Sequence, residues 1–194
     1  MMTIPNVLTI LSLIAVPAFI FASLRGHFTL AFVLFVSAAF TDMFDGMIAR
    51  RFNQRSRLGA LLDPAADKTM LICGYLFYTL HPIVKVPIPN WLTFTVFIRD
   101  LVIIVFAYLL YTRVQVKRFP PSWAGKTSTV LQAVTLGATI ATNAFAPKLE
   151  PFCEILFRIA LGITLYSGFD YLRRGKGLLE NSQNVSLTGA ATGH

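Results

Sequence analysis

The chain has 194 residues and a net charge of +8, yet only 13% of its residues are charged, 55% are hydrophobic, and the mean hydropathy is +0.64. A soluble domain is closer to a quarter charged, so the composition excludes an ordinary soluble fold and points to apolar helices in a bilayer. It also argues against a nucleic-acid reader, which carries a basic stripe on a polar domain; here the cations suit cytosolic loops facing anionic lipid.

A membrane span needs about 20 mostly apolar residues, and six candidates follow in chain order. They are Ile4 to Leu24, Phe28 to Arg50, Leu58 to Leu80, Ile88 to Thr112, Ser122 to Ala146 and Pro151 to Leu172. The fold class expected is all-α: a polytopic bundle of six transmembrane helices over residues 1–178, with a polar, disordered tail at 179–194. The first run resembles a signal peptide but lacks a basic segment before it, so it reads as a retained helix. Pro17 is a candidate kink. Cys73 and Cys153 stand alone in apolar runs and have no metal-ligand spacing around them. Trp91 and Trp123 fall near span ends, as interfacial anchors do.

The connections alternate in charge. One side holds Arg50, Arg51, Arg55, Arg57, Arg113, Lys117, Arg118, Arg173, Arg174 and Lys176; the other holds only Arg25, Lys85 and Lys148. Ten against three predicts that both termini are cytosolic. The acceptor triplet at Asn184 then never meets the glycosylation machinery.

Four of the nine acidic residues, Asp42, Asp45, Asp63 and Asp67, cluster around the second connection. On a helix Asp42, Asp45 and Ala49 share a face bordered by Gly46, and Gly59, Asp63 and Asp67 form a stripe on the next helix. A short link makes the two helices antiparallel, which places the carboxylates in two pairs, roughly 8 Å and 12–15 Å from the cytosolic end. Four such anions need protons or cations in low dielectric, and all-oxygen ligation suits Mg2+, Mn2+ or Ca2+. The small residues beside them leave room for a phosphate-containing substrate. Purely structural ion pairing with the nearby arginines is the bland alternative, and a divalent-cation channel or carrier the sharper one.

The pattern Asp42-x2-Asp45-Gly46-x2-Ala49-Arg50-x8-Gly59-x3-Asp63-x3-Asp67 resembles in full the signature of the CDP-alcohol phosphatidyltransferase family. The resemblance extends to the six spans and the N-terminal IPNVLT, and weakens beyond Lys68. It implies a membrane enzyme, usually a homodimer, that moves a phosphatidyl group from CDP-diacylglycerol to an alcohol and releases CMP. It implies that Asp42, Asp45 and Asp63 hold one or two Mg2+ or Mn2+ ions. Asp67 is implied as the catalytic base, also able to touch metal. Gly46, Ala49, Arg50 and Gly59 are implied on the CDP-lipid side. Glycerol 3-phosphate is the favoured acceptor and phosphatidylglycerol the alternative. The implied location is a bacterial inner membrane, with the active site on the cytosolic side.

An acceptor phosphate near four carboxylates needs fixed cations, and Arg99, Lys126 and Arg158, on three spans, are the candidates. Asp100 is expected to point away from Arg99, and Asp170 and Glu154 are expected as structural partners for the deep arginines. The stretch AGKTS around Lys126 is not a P-loop, because Pro120 stands where that pattern needs glycine. The three histidines form no cluster.

Overall fold

The computed structural model describes the backbone of residues 4–52, 59–114 and 122–191, and the side chains of 14–41, 68–108, 112 and 122–174. The described backbone is helical with no strand: α1 (Ile4–Leu24), α2 (Phe28–Phe52), α3 (Gly59–Leu80), α4 (Asn90–Val114), α5 (Trp123–Phe145) and α6 (Glu150–Ala191), with a 3-10 turn at Pro147–Leu149 before α6. The first five fall within a few residues of the expected spans. α1 runs unbroken past Pro17. α6 continues to Ala191, so residues 179–191, expected to be disordered from their composition, are helical. Extending an established helix costs far less than nucleating one, which lets a packed α6 carry a polar continuation.

Two helices, Asn90–Tyr108 and Pro147–Arg174, are long and apolar enough to cross a membrane, and Ile14–Leu24 and Phe28–Thr41 are shorter apolar stretches, among the described residues. The surface of these helices is oily. On α4, Phe94, Ile98, Leu101, Ile104 and Tyr108 are all exposed, and on α6 so are Leu165, Tyr166 and Phe169. Water would penalise such a surface and hydrocarbon does not, so the chain is membrane-associated.

The chain divides into two compact units, Met1–Pro89 with Gln132–Leu156, and Asn90–Leu131 with Phe157–His194. In the first, α1 packs on both α2 and α3. Gly26, at φ +73°, closes the turn between α1 and α2. Phe19 is fully buried, stacks on Tyr78 with ring centroids 6.3 Å apart, and lies 6.1 Å from Phe35. The Tyr78 hydroxyl shares a 3.5 Å hydrogen bond with Ser23.

The second half of α5 joins this core through small and polar groups, as membrane helices do. A Cβ on Gly74 would lie 2.4 Å from Cδ2 of Leu136, so glycine is what permits this approach. Tyr75 donates its hydroxyl to the Gln132 carbonyl at 3.2 Å. Asn143 clamps the segment after α3. Its Oδ1 accepts from the amides of Lys85 (2.9 Å) and Val86 (3.1 Å), and its Nδ2 donates to the carbonyls of Val86 (3.0 Å) and Thr139 (2.9 Å).

In the second unit Ser122 caps α5, its Oγ accepting from the Gly125 amide at 2.9 Å. Ser128 and Thr164 share a buried 3.3 Å hydrogen bond between α5 and α6, and Phe106 meets Tyr171 edge-on at 6.2 Å.

Candidate functional site

The aspartate segment lies in the first unit. Asp42, Asp45, Gly46, Ala49 and Arg50 fall on α2, and Gly59, Asp63 and Asp67 on α3. The side chains of all eight, and the link at 53–58, lie outside the described residues. Helical register keeps Asp42 and Asp45 on one face of α2, and Gly59, Asp63 and Asp67 on one face of α3. Counting along the helices, Asp45 stands about 10 Å before the end of α2 and Asp63 about 6 Å after the start of α3; Asp42 and Asp67 stand about 15 Å and 12 Å in. Each pair agrees to within one helical turn. Among the described residues no group of three His, Cys, Asp or Glu side chains could hold a metal ion.

The second unit contains a cavity of about 560 Å³ lined by Arg99 and Ile103 of α4, Ser122, Gly125, Lys126, Thr129 and Val130 at the start of α5, and Tyr171 of α6. Arg99 dominates it. Its side chain is only 10% exposed, Nη1 donates to Asp100 Oδ1 at 2.9 Å, and Nη2 donates to Ser167 Oγ. Nε is buried with no hydrogen-bond partner. A buried guanidinium N–H left unmade is costly, and this one has no acceptor among the described residues. A Cβ on Gly125 would lie 3.1 Å from Ser122 Oγ, a tight contact, and 3.5 Å from Arg99 Nη2, an ordinary one.

Lys126 is exposed at the first turn of α5, and its Nζ rests 5.3 Å from the ring of Trp123. A cation over an aromatic face is held by about 0.5–1 kcal/mol at an exposed site, weakly enough to be given up for an anion. Arg158 is also in this unit, on α6, but is exposed and does not line the cavity. Of the three cations expected to hold an acceptor, the structure therefore brings Arg99 and Lys126 together and leaves Arg158 out.

Two expectations about carboxylates need correcting. Asp100, expected to point away, pairs with Arg99, because the long arginine side chain can turn back across the 100° between neighbouring helical positions. Asp170 pairs with Arg174 at 3.0 Å, one turn along α6, rather than with a deeper arginine. Ser122, Ser167 and Tyr171 were not singled out from the sequence. The available signal was a serine and a tyrosine four apart on α6, which fall on one face.

Comparison with known proteins places these residues in context. The family model for CDP-alcohol phosphatidyltransferases matches residues 2–166. The chain is 30% identical to a probable phosphatidylglycerophosphate synthase of Mycobacterium tuberculosis, over 87% of this chain and 79% of that protein. It is 31% identical to the CDP-diacylglycerol–glycerol-3-phosphate 3-phosphatidyltransferase of Haemophilus influenzae, over 93% and 97%. It is also 29% identical to the CMP-forming cardiolipin synthase of Homo sapiens, over 90% of this chain and 62% of that one.

Proposed function

The chain belongs to the CDP-alcohol phosphatidyltransferase family and is a phosphatidyltransferase of phospholipid synthesis, and from that premise we propose that it transfers a phosphatidyl group from CDP-diacylglycerol to glycerol 3-phosphate, as a phosphatidylglycerophosphate synthase. Family membership displaces the channel or carrier alternative. The observation that carries the reading is the complete aspartate pattern on α2 and α3, inside the matched region.

We assign the roles residue by residue. Asp42, Asp45 and Asp63, with Asp67, form a hard, all-oxygen donor set that fits one or two Mg2+ or Mn2+ ions. Such ions, when bound, neutralise the diphosphate and stabilise the departing CMP. Asp67 takes the proton of the acceptor hydroxyl as its oxygen bonds to phosphorus and the bond to the CMP oxygen breaks. Gly46, Ala49 and Gly59, with Arg50, receive the cytidine side of the donor. In the second unit, Arg99 and Lys126 hold the acceptor phosphate, supported by the buried free Nε of Arg99 and the weakly engaged Lys126 ammonium.

The proposed setting is a six-span homodimer in a bacterial inner membrane, with both termini and the active site on the cytosolic side. Its topology is tested by single cysteines: one at Gln54 should label from the cytosolic side alone, and one at Pro82 from the opposite side alone. The function is tested with purified protein, labelled CDP-diacylglycerol, Mg2+ or Mn2+ and a panel of acceptors. CMP should appear only with metal and glycerol 3-phosphate together. The likeness to a human cardiolipin synthase supports one second reading, and consumption of phosphatidylglycerol in place of glycerol 3-phosphate would establish it.

A further inference from the structure

A second cavity lies in the first unit and is lined by none of the residues assigned to the reaction. It measures about 890 Å³ and is lined by the α1–α2 turn and the first turns of α2 (Gly26, His27, Thr29, Leu30, Val33), by Ile83 and Lys85 after α3, and by the end of α5 at Asn143. Along α2 its floor at Phe28 is roughly 20 Å from Asp42.

The lining has two characters. Lys85 and His27 are exposed cations or donors, and no acidic residue lines the cavity. The Lys85 ammonium has no ion-pair partner among the described residues. Asn143 cannot serve a ligand, because its amide is fully used by Lys85, Val86 and Thr139. The other character is apolar. Leu30 and Val33 line the cavity at 51% and 55% exposure, and the same face of α2 continues through Ser37 to Phe40, itself 55% exposed. The apolar stretch Phe28–Thr41 begins at the cavity, and the apolar stretch of α1 ends at Leu24 beside it. The cavity thus sits where apolar helix surface gives way to loop, the level of a lipid headgroup. A cationic hollow opening on to an oily stripe complements a ligand with an anionic head and a hydrocarbon tail.

We propose that this cavity is a binding site for one anionic phospholipid of the surrounding bilayer, separate from the donor and acceptor sites. Lys85 holds the headgroup phosphodiester, His27 and Thr29 add hydrogen bonds, and one acyl chain lies along Leu30, Val33 and Phe40. The assignment stands on this cavity; were phosphatidylglycerol the acceptor, an adduct at the Arg99 cavity would be lost in Arg99→Gln and kept in Lys85→Glu.

The test is native mass spectrometry of the full-length protein in neutral detergent, titrated at equal concentrations with phosphatidylglycerol, phosphatidylcholine or inorganic phosphate. One phosphatidylglycerol adduct should be retained at least about fivefold over phosphatidylcholine. Lys85→Glu should lower that retention about tenfold, whereas Lys148→Glu and Arg99→Gln should change it less than about twofold. Lys85 is exposed, so the substitution leaves the core intact. Equal retention of the two lipids would overturn the proposal, as would equal losses in Lys85→Glu and Lys148→Glu, which would mean diffuse surface charge. Loss in Arg99→Gln alone would move the lipid to the acceptor cavity, and displacement by inorganic phosphate would replace the lipid with a free anion; either overturns it.

Discussion

The aspartate segment of α2 and α3 and the Arg99–Lys126 cavity of the second unit differ in how their chemistry is written. In the first, four residue types at eight fixed positions carry the family signature without a single side-chain coordinate. In the second, no spacing announces a site, and only packing shows that a buried arginine has one donor unspoken for beside a lysine resting on an aromatic ring. Transfer of a charged diphosphate needs several ligands from two adjacent helices, and that leaves a local signature. Grip on an acceptor needs only one or two cations from distant segments, and that leaves none.

The two regions should fail differently when altered. The largest effect belongs to the first. Asp42→Asn, Asp45→Asn and Asp63→Asn should each lower CMP release by about 100-fold or more and raise the metal concentration needed for half-maximal rate, since each removes an anion from the proposed cation cage. A metal titration with each variant checks this, and an unchanged metal requirement would remove that residue from the cage.

A smaller loss, confined to one substrate, belongs to the second region. Charge-assisted bonds to phosphate are worth about 1.5–3 kcal/mol each. Lys126→Met should therefore raise the KM for glycerol 3-phosphate roughly 10- to 100-fold with little change for CDP-diacylglycerol. Arg158→Gln, outside the cavity, should leave both constants near wild type, which initial-rate measurements would show.

Changes to the scaffold of the first unit should act on stability. Asn143→Leu strands the amides of Lys85 and Val86 and the carbonyls that Asn143 served, and should cost about 2–3 kcal/mol. Thermal unfolding in detergent reads it. Gly74→Ala should cost about 1–2 kcal/mol, because buried Leu136 must shift to admit the methyl group. A neutral Gly74→Ala would show that α3 and α5 have slack there.

Much of the fold was legible because each helix is an apolar run ended by polar or turn residues: Gly26 after α1, His81 and Pro82 after α3, Pro147 after α5. Residues 179–191 were expected to be disordered because composition reports the lack of a buried face, while a helix already held by packing continues without one. The family that the aspartate pattern implied agrees with the comparisons, while the four carboxylates themselves lie outside the described side chains. Arg99 and Lys126 were legible only as rare charges in oily spans. Their grouping without Arg158, the pairing of Arg99 with Asp100, and the parts of Ser122, Ser167 and Tyr171 depend on which helix faces meet, which one sequence does not encode locally.

The central claim is that chemistry and acceptor recognition reside in different residues, and it is tested most directly by titrating glycerol 3-phosphate against Asp67→Asn and Arg99→Gln side by side, at saturating CDP-diacylglycerol and metal. The account predicts that Asp67→Asn loses kcat by about 100-fold or more with its acceptor KM little changed, and that Arg99→Gln raises acceptor KM roughly 10- to 100-fold with kcat largely kept. The same profile in both variants, or a near-normal kcat in Asp67→Asn, would contradict it.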